Sequence, residues 1–147
     1  MKKRIVSPLS LLITAMATPA LATEGLSPFG VWLSDDKETK LEIFQCEEKL
    51  CGKIVWLKHN TKEDGSPLLD ANNEEETLRD RPIVGLEILK DLEKQSAKKW
   101  GDGKVYDPES GKTYRAKIAL KSNEKMKLSG CINSFLCQGD HWYKSEK

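Results

Sequence analysis

The sequence predicts an all-β fold: an eight-stranded antiparallel up-and-down β-barrel with one long connection between strands three and four. Three observations predict it. Short segments of alternating apolar and polar residues recur between turn-forming residues, the period-2 pattern of half-buried strands. The four cysteines fall into two local pairs, Cys46 with Cys51 and Cys131 with Cys137, and each pair brackets a turn. A meander of such strands leaves two edges to protect, and closure into a barrel removes them. An eight-stranded interior is either filled by side chains or just wide enough for one small ligand.

The N-terminus reads as an address. Met1-Lys2-Lys3-Arg4 is a basic n-region, Ile5 to Pro19 is mostly apolar, and Ala20-Leu21-Ala22 is the small-x-small pattern of signal-peptidase cleavage. The expected organisation is a signal peptide over 1–22 and one barrel domain over 23–147. Pro8 and Pro19 interrupt an apolar run already too short to span a bilayer, so the mature chain is expected to be periplasmic or secreted and not membrane-spanning. Four cysteines in an exported chain point to two disulfides. Three connectivities are open in principle, and spacing favours the two local ones. The chain carries 24 Lys plus Arg and 23 Asp plus Glu; without Lys2, Lys3 and Arg4, 21 cations face 23 anions, net −2. No basic stripe stands out along the chain, which argues against nucleic acid as a partner.

The strands follow in order. The first runs from Phe29 to Ser34, the second from Thr39 to Cys46, the third from Cys51 to Lys58. Placing Cys46 opposite Cys51 sets Ile43 against Ile54 and Leu41 against Trp56 on one apolar face, with the turn at Glu48-Lys49. Ile83 to Lys90 is the fourth strand, and Asp91 to Lys99 reads as a charged, exposed segment ending at Trp100. Lys104 to Asp107 and Lys112 to Lys121 flank Pro108-Glu109-Ser110-Gly111, a type I turn with a left-handed Gly exit. In the second arm Tyr114, Ala116, Ile118 and Leu120 alternate against Thr113, Arg115, Lys117 and Ala119. The seventh strand faces Met126, Leu128, Gly130 and Ile132 inward. The last runs from Cys137 to about Lys144, with Gln138, Asp140 and Trp142 inward.

The stretch from His59 to Pro82 is longer than compact domains ordinarily use for a connection, so it is functional or mobile. Asn73 is placed to cap a short helix over Glu74 to Asp80. Pro82 ends the polar segment, which carries Asp70, Asn72, Arg79 and Arg81.

Gly30-Val31-Trp32 resembles the Gly-x-Trp motif of lipocalin-like barrels. The resemblance implies that Trp32 packs across the closed end against a basic side chain of the last strand, here Lys144 where Arg is usual, with Trp142 in the same closed-end core. More specifically, GVW at 30–32, CGKIVWL at 51–57, LRDRPIVGL at 78–86 and GKVYDPESGKTY at 103–114 resemble a bacterial family of small exported proteins classed as a domain of unknown function with a lipocalin-like, calycin-type fold. Cys131 and Cys137 fit that family as well, whereas Asp140 stands where it more often has Gln. The resemblance implies a cup with no assigned catalysis and no agreed ligand.

The residues support few chemistries. His59 and His141 are far apart, with no carboxylate or Cys at ligand spacing, so neither a metal nor another cofactor is expected. No nucleophile elbow exists, and no enzyme is read here; an Asp70/Asp140 carboxylate pair has nothing to fix its separation. The expected function is binding of a small amphipathic molecule or lipid, partly apolar and anionic in one version. Leu41, Ile43, Ile54, Trp56, Ile118 and Leu128 would form its walls. Candidate ligand contacts are Asp70, Asn72, Arg79, Arg81, Trp56, Trp100 at the open end, and Asp140. The competing reading of Arg79 and Arg81 is a latch that pins the long connection through Asp70, Asp80 or the Asn72–Asn73 backbone. The alternative function is an envelope or secreted protein-interaction or inhibitor module with a filled core, which meets its partner through 74–80 or 91–99.

Overall fold

The computed structural model describes residues 25–146, so the leader assigned to 1–22 lies outside it. Eight strands close into one antiparallel barrel in sequence order: β1 (Gly30–Ser34), β2 (Thr39–Cys46), β3 (Lys49–Leu57), β4 (Glu87–Ser96), β5 (Lys99–Asp107), β6 (Lys112–Leu120), β7 (Lys125–Cys131) and β8 (Cys137–Ser145). The expected fold class is the one observed. β6 follows most plainly from the alternation that predicts it, burying Ala116, Ile118 and Leu120 and exposing Thr113, Arg115 and Lys117. Both local disulfides form, Cys46–Cys51 and Cys131–Cys137.

The inward residues make one core. Trp32, Leu41, Ile43, Leu50, Leu89, Leu92, Ile118 and Met126 are all but inaccessible to solvent. Ile54, Trp100, Ala116, Leu120 and Leu128 join the same cluster. Burial of this apolar surface is the dominant stabilising term for a domain of this size.

Several details differ from expectation, each for a physical reason. Cys51 opposes Phe44, and Cys46 opposes Lys49, so the β2–β3 register is displaced by two residues and the disulfide joins diagonal neighbours. The turn is Glu47-Glu48, with Glu47 at a φ of 55°. A two-residue displacement keeps every side chain on its face, which is why Leu41, Ile43 and Ile54 still point inward. Trp56 does not. A bulge beside Lys40 and Leu41 gives β3 one extra residue, and Trp56 then opposes Lys40, whose Nζ sits 5.9 Å from the indole centroid. Trp56 is 39% exposed and is not an interior wall.

The segment 91–99 is no loop. β4 continues through it to Ser96 with Leu92 buried, while Asp91, Glu93 and Lys94 stay exposed, Lys94 over the Trp100 ring. β4 begins at Glu87 rather than Ile83, because Gly85 and Leu86 bond to Ile54 before the ladder starts. Ile132 is not inward but 72% exposed, carried into the β7–β8 turn. The helix expected over 74–80 shrinks to a 3₁₀ turn, Glu76–Leu78.

Turns of an up-and-down barrel alternate between its two ends. The chain start, the β2–β3, β4–β5 and β6–β7 turns share one end; the β1–β2, β5–β6 and β7–β8 turns and the long β3–β4 connection share the other. The first end is closed by Trp32, whose Nε1 donates to the Pro28 carbonyl at 2.7 Å. Lys144 Nζ lies 4.6 Å from the Trp32 ring centroid and donates to the Phe29 carbonyl. Burial holds the Lys144 ammonium below the usual lysine range, with Glu124 opposing the shift. Trp142, half-buried, packs against the same core. Trp100 follows the β4–β5 turn and so belongs to this closed end, buried against the core and opposite Ile118, not to the open mouth.

Candidate functional site at the barrel mouth

The long connection folds back on itself before it reaches β4. Leu69 bridges Pro82, Asp70 N–H donates to the Arg81 carbonyl at 3.0 Å, and Ile83 N–H donates to the Leu68 carbonyl at 3.0 Å. Pro82 fits this pinch because the bonds use its neighbours' groups and need no N–H of its own. The pinch brings Asp70 and Arg81 together although they are 11 positions apart.

Asp70 is fully buried, and its carboxylate is the centre of the arrangement. Oδ2 accepts from Arg81 Nε at 2.9 Å, from Arg81 Nη2 at 2.8 Å and from Asn73 Nδ2 at 2.8 Å. Oδ1 accepts from the Tyr106 hydroxyl at 2.5 Å. The Arg81 guanidinium also lies over the Tyr106 ring, 5.8 Å from its centroid. A buried carboxylate needs such a set, since an unpaired charge in the interior is costly. Burial first, and Asp70 second, push the Tyr106 phenol above its ordinary range, while Asn73 and Arg81 pull it the other way.

The neighbouring candidates serve the same buckle. Arg79 Nε donates to the Asn73 carbonyl at 2.7 Å, and its Nη1 lies 3.6 Å from Glu76. Asn72 Nδ2 donates to the Glu109 carbonyl in the β5–β6 turn at 2.8 Å. Asn73 Oδ1 accepts from Glu75 N–H, which makes an Asx turn where a helix cap was expected. Both arginines are therefore engaged with the strap itself, as the latch reading holds. Register places Tyr106 on the outward side of β5, opposite Thr113. Tyr106 and Ile83 are half-buried and pack against the core cluster, so the strap is fastened to β5 at the edge of the core. Asn73 was expected only as a helix cap and for its backbone, which Arg79 does use, and Tyr106 was not among the candidates; the signal for Tyr106 was that a buried phenol requires a polar partner.

The other candidates stand apart. Trp56 lies on the outer wall and Trp100 at the closed end. Asp140 sits opposite Leu128, and Gln138 opposite Gly130, so both occupy inward register positions on β8. Both are nevertheless exposed. The reason lies in the seam: β1 meets β8 only from Trp142 to Ser145, which leaves the first half of β8 standing above the end of β1. The floor below is apolar, with Leu128 and Ala116 buried and Gly130 within about a side-chain contact of Tyr114 and Val105. A Cβ at Gly130 would come 3.3 Å from Tyr114 Cβ and 3.4 Å from Val105 Cγ1, so glycine lets these two side chains pack closely against β7. Among the described residues, no group of three or more His, Cys, Asp or Glu is placed to hold a metal ion, and no helix is long and apolar enough to cross a membrane.

Comparison with known proteins agrees with the architecture. No curated protein matches the chain. The solved structure of protein HP1028 from the human pathogen Helicobacter pylori, described as belonging to the lipocalin family, is similar with a TM-score of 0.72. The two share 22% identity over 83% of this chain and 85% of that one. That likeness concerns the fold. Residues 30–144 match the family model described as an uncharacterized protein conserved in bacteria (DUF2147), and the chain belongs to that family.

Proposed function

We propose that this is an extracytoplasmic binding protein, not an enzyme, that takes a small, partly apolar molecule at the open mouth of the barrel. The observation that carries the reading is the exposure of Gln138 and Asp140 at inward positions above a buried apolar floor. The two disulfides fit an oxidising compartment. The filled lower core makes the cup shallow, so the apolar part of the ligand is short. Asp140 can only accept hydrogen bonds when ionised, so it favours a ligand with an amine or other donor over an anionic one. Arg79 commits its Nε, and Arg81 its Nε and Nη2, to the strap, which favours the latch over an anionic head group as their main partner. Asp70 is the buried carboxylate a catalytic reading would need, and its oxygens are taken by Arg81, Asn73 and Tyr106.

Native mass spectrometry of gently purified protein tests this. A bound small molecule is expected in the wild type and is expected to be absent from Asp140→Lys. No adduct in the wild type, or an adduct of undiminished abundance in Asp140→Lys, would contradict the reading.

A second reading, a protein-interaction module, draws on one observation: the β7–β8 tip exposes Ile132, Phe135 and Leu136. The contact segments expected for it, 74–80 and 91–99, are largely exposed but charged, and the tip adds an exposed apolar surface that neither has.

A further inference from the structure

The outward face of β5, β6 and β7 concentrates positive charge that the linear sequence hides. Lys90, Lys104 and Arg115 stand directly opposite one another across β4, β5 and β6. All three are exposed, and like charges at opposed positions destabilise a sheet. The ion pairs of the described residues go elsewhere: to Lys49, Lys53, Lys58, Arg79 and Arg81. Lys117 and Lys127 extend the same face downward and are also exposed. Seven of the 23 acids lie in the long connection, away from this face: Glu63, Asp64, Asp70, Glu74, Glu75, Glu76 and Asp80. The acids on or beside this face are Asp102, whose carboxylate accepts from Gln95, Asp91 next to Lys90, and Asp107 opposite Lys112. A shallow outer concavity of about 390 Å³ lies between Lys104, Thr113 and Arg115.

The row continues from Arg115 to Cys131 and across to Cys137, at the base of the β7–β8 tip. The tip presents Ile132, Phe135 and Leu136 at 72%, 96% and 56% exposure. It is held rigid by the Cys131–Cys137 disulfide, by Asn133 Oδ1 accepting from the N–H groups of Phe135 and Leu136, and by Ile132 N–H donating to the Leu136 carbonyl. A preorganised apolar tip loses little entropy on binding. Three exposed apolar side chains beside a face of unneutralised cations match the two halves of a bilayer surface: acyl chains and anionic headgroups.

We propose that this face and tip dock the barrel side-on to an anionic lipid bilayer, with Phe135 and Leu136 inserted and Lys104 and Arg115 over the headgroups. A soluble polyanion would leave the tip without a role, which is why the bilayer is the occupant chosen.

Vesicle co-sedimentation tests it, using the chain from Thr23 onward, which contains the whole barrel, its core and both disulfides. The vesicles are phosphatidylcholine alone or with about one-third phosphatidylglycerol. Binding is expected to the anionic vesicles and not the neutral ones, and to weaken as salt is raised. Lys104→Glu with Arg115→Glu is expected to lower partitioning by about tenfold or more. Phe135→Ser with Leu136→Ser is expected to do the same by roughly tenfold. These positions are exposed, so an unchanged circular dichroism spectrum is expected and verifies the fold of each variant. Equal binding to both vesicle types, no binding, or binding indifferent to either double variant would overturn the proposal. So would binding to soluble polyphosphate without binding to vesicles, or self-association lost in the tip variant without vesicle binding.

Discussion

Asp70 illustrates how one residue holds a long connection in place. Its carboxylate has no contact with water and accepts four hydrogen bonds, two of them from Arg81. Removing the guanidinium leaves a buried charge without its cation, so Arg81→Gln is expected to cost about 3 kcal/mol or more in urea unfolding. Tyr106→Phe removes one donor and is expected to cost about 1–3 kcal/mol in the same experiment. The raised Tyr106 pKa adds a pH signature. Because the fold favours the protonated phenol, its contribution is constant below the unfolded tyrosine value of about 10 and is lost as pH rises through the higher folded value. Lys144, whose pKa is lowered, acts in the opposite sense. Tyrosinate absorbance separates the two: one transition is expected to lie above that of ordinary tyrosine and to vanish in Tyr106→Phe. Asp70 and Arg81 were legible in the sequence because paired charges in one long connection are conspicuous. Tyr106 was not, because its partner lies 36 positions away and only the tertiary fold joins them.

At the level of elements, Gly111 ties the β5–β6 turn to the strap. Its φ is 72°, and a Cβ there would come 1.8 Å from the Asn72 carbonyl oxygen. Gly111→Ala is therefore expected to destabilise by more than about 1 kcal/mol. It should also speed amide hydrogen exchange in the strap, while the β2–β3 amides stay protected. The same scale explains what the sequence showed of the strands. Faces were legible wherever alternation was clean, as in β6. Register was not, because the true β2–β3 pairing differs from the expected one by two residues and keeps the same faces. The bulge that turns Trp56 outward also leaves no mark in an alternation pattern, since it is set by how two strands meet.

Across the whole molecule three features lie apart: an end closed around Trp32 and Lys144, a strap tied to β5 through Tyr106, and exposed Gln138 and Asp140 at inward register positions on β8. Closure into a barrel was readable from eight strands in meander order, but the exposure of the first half of β8 was not, because it depends on β1 ending opposite Trp142. If the buckle is structural and the mouth binds, the two sites must respond differently to substitution. Binding isotherms of a small cationic amphiphilic dye for the wild type, Asp140→Lys and Arg81→Lys test this most directly. The expected result is affinity lowered by about tenfold or more in Asp140→Lys, from exchanging attraction for repulsion at the mouth. Arg81→Lys should lose thermal stability and keep wild-type affinity. Full affinity in Asp140→Lys, together with loss of binding in a folded Arg81→Lys, would contradict the account.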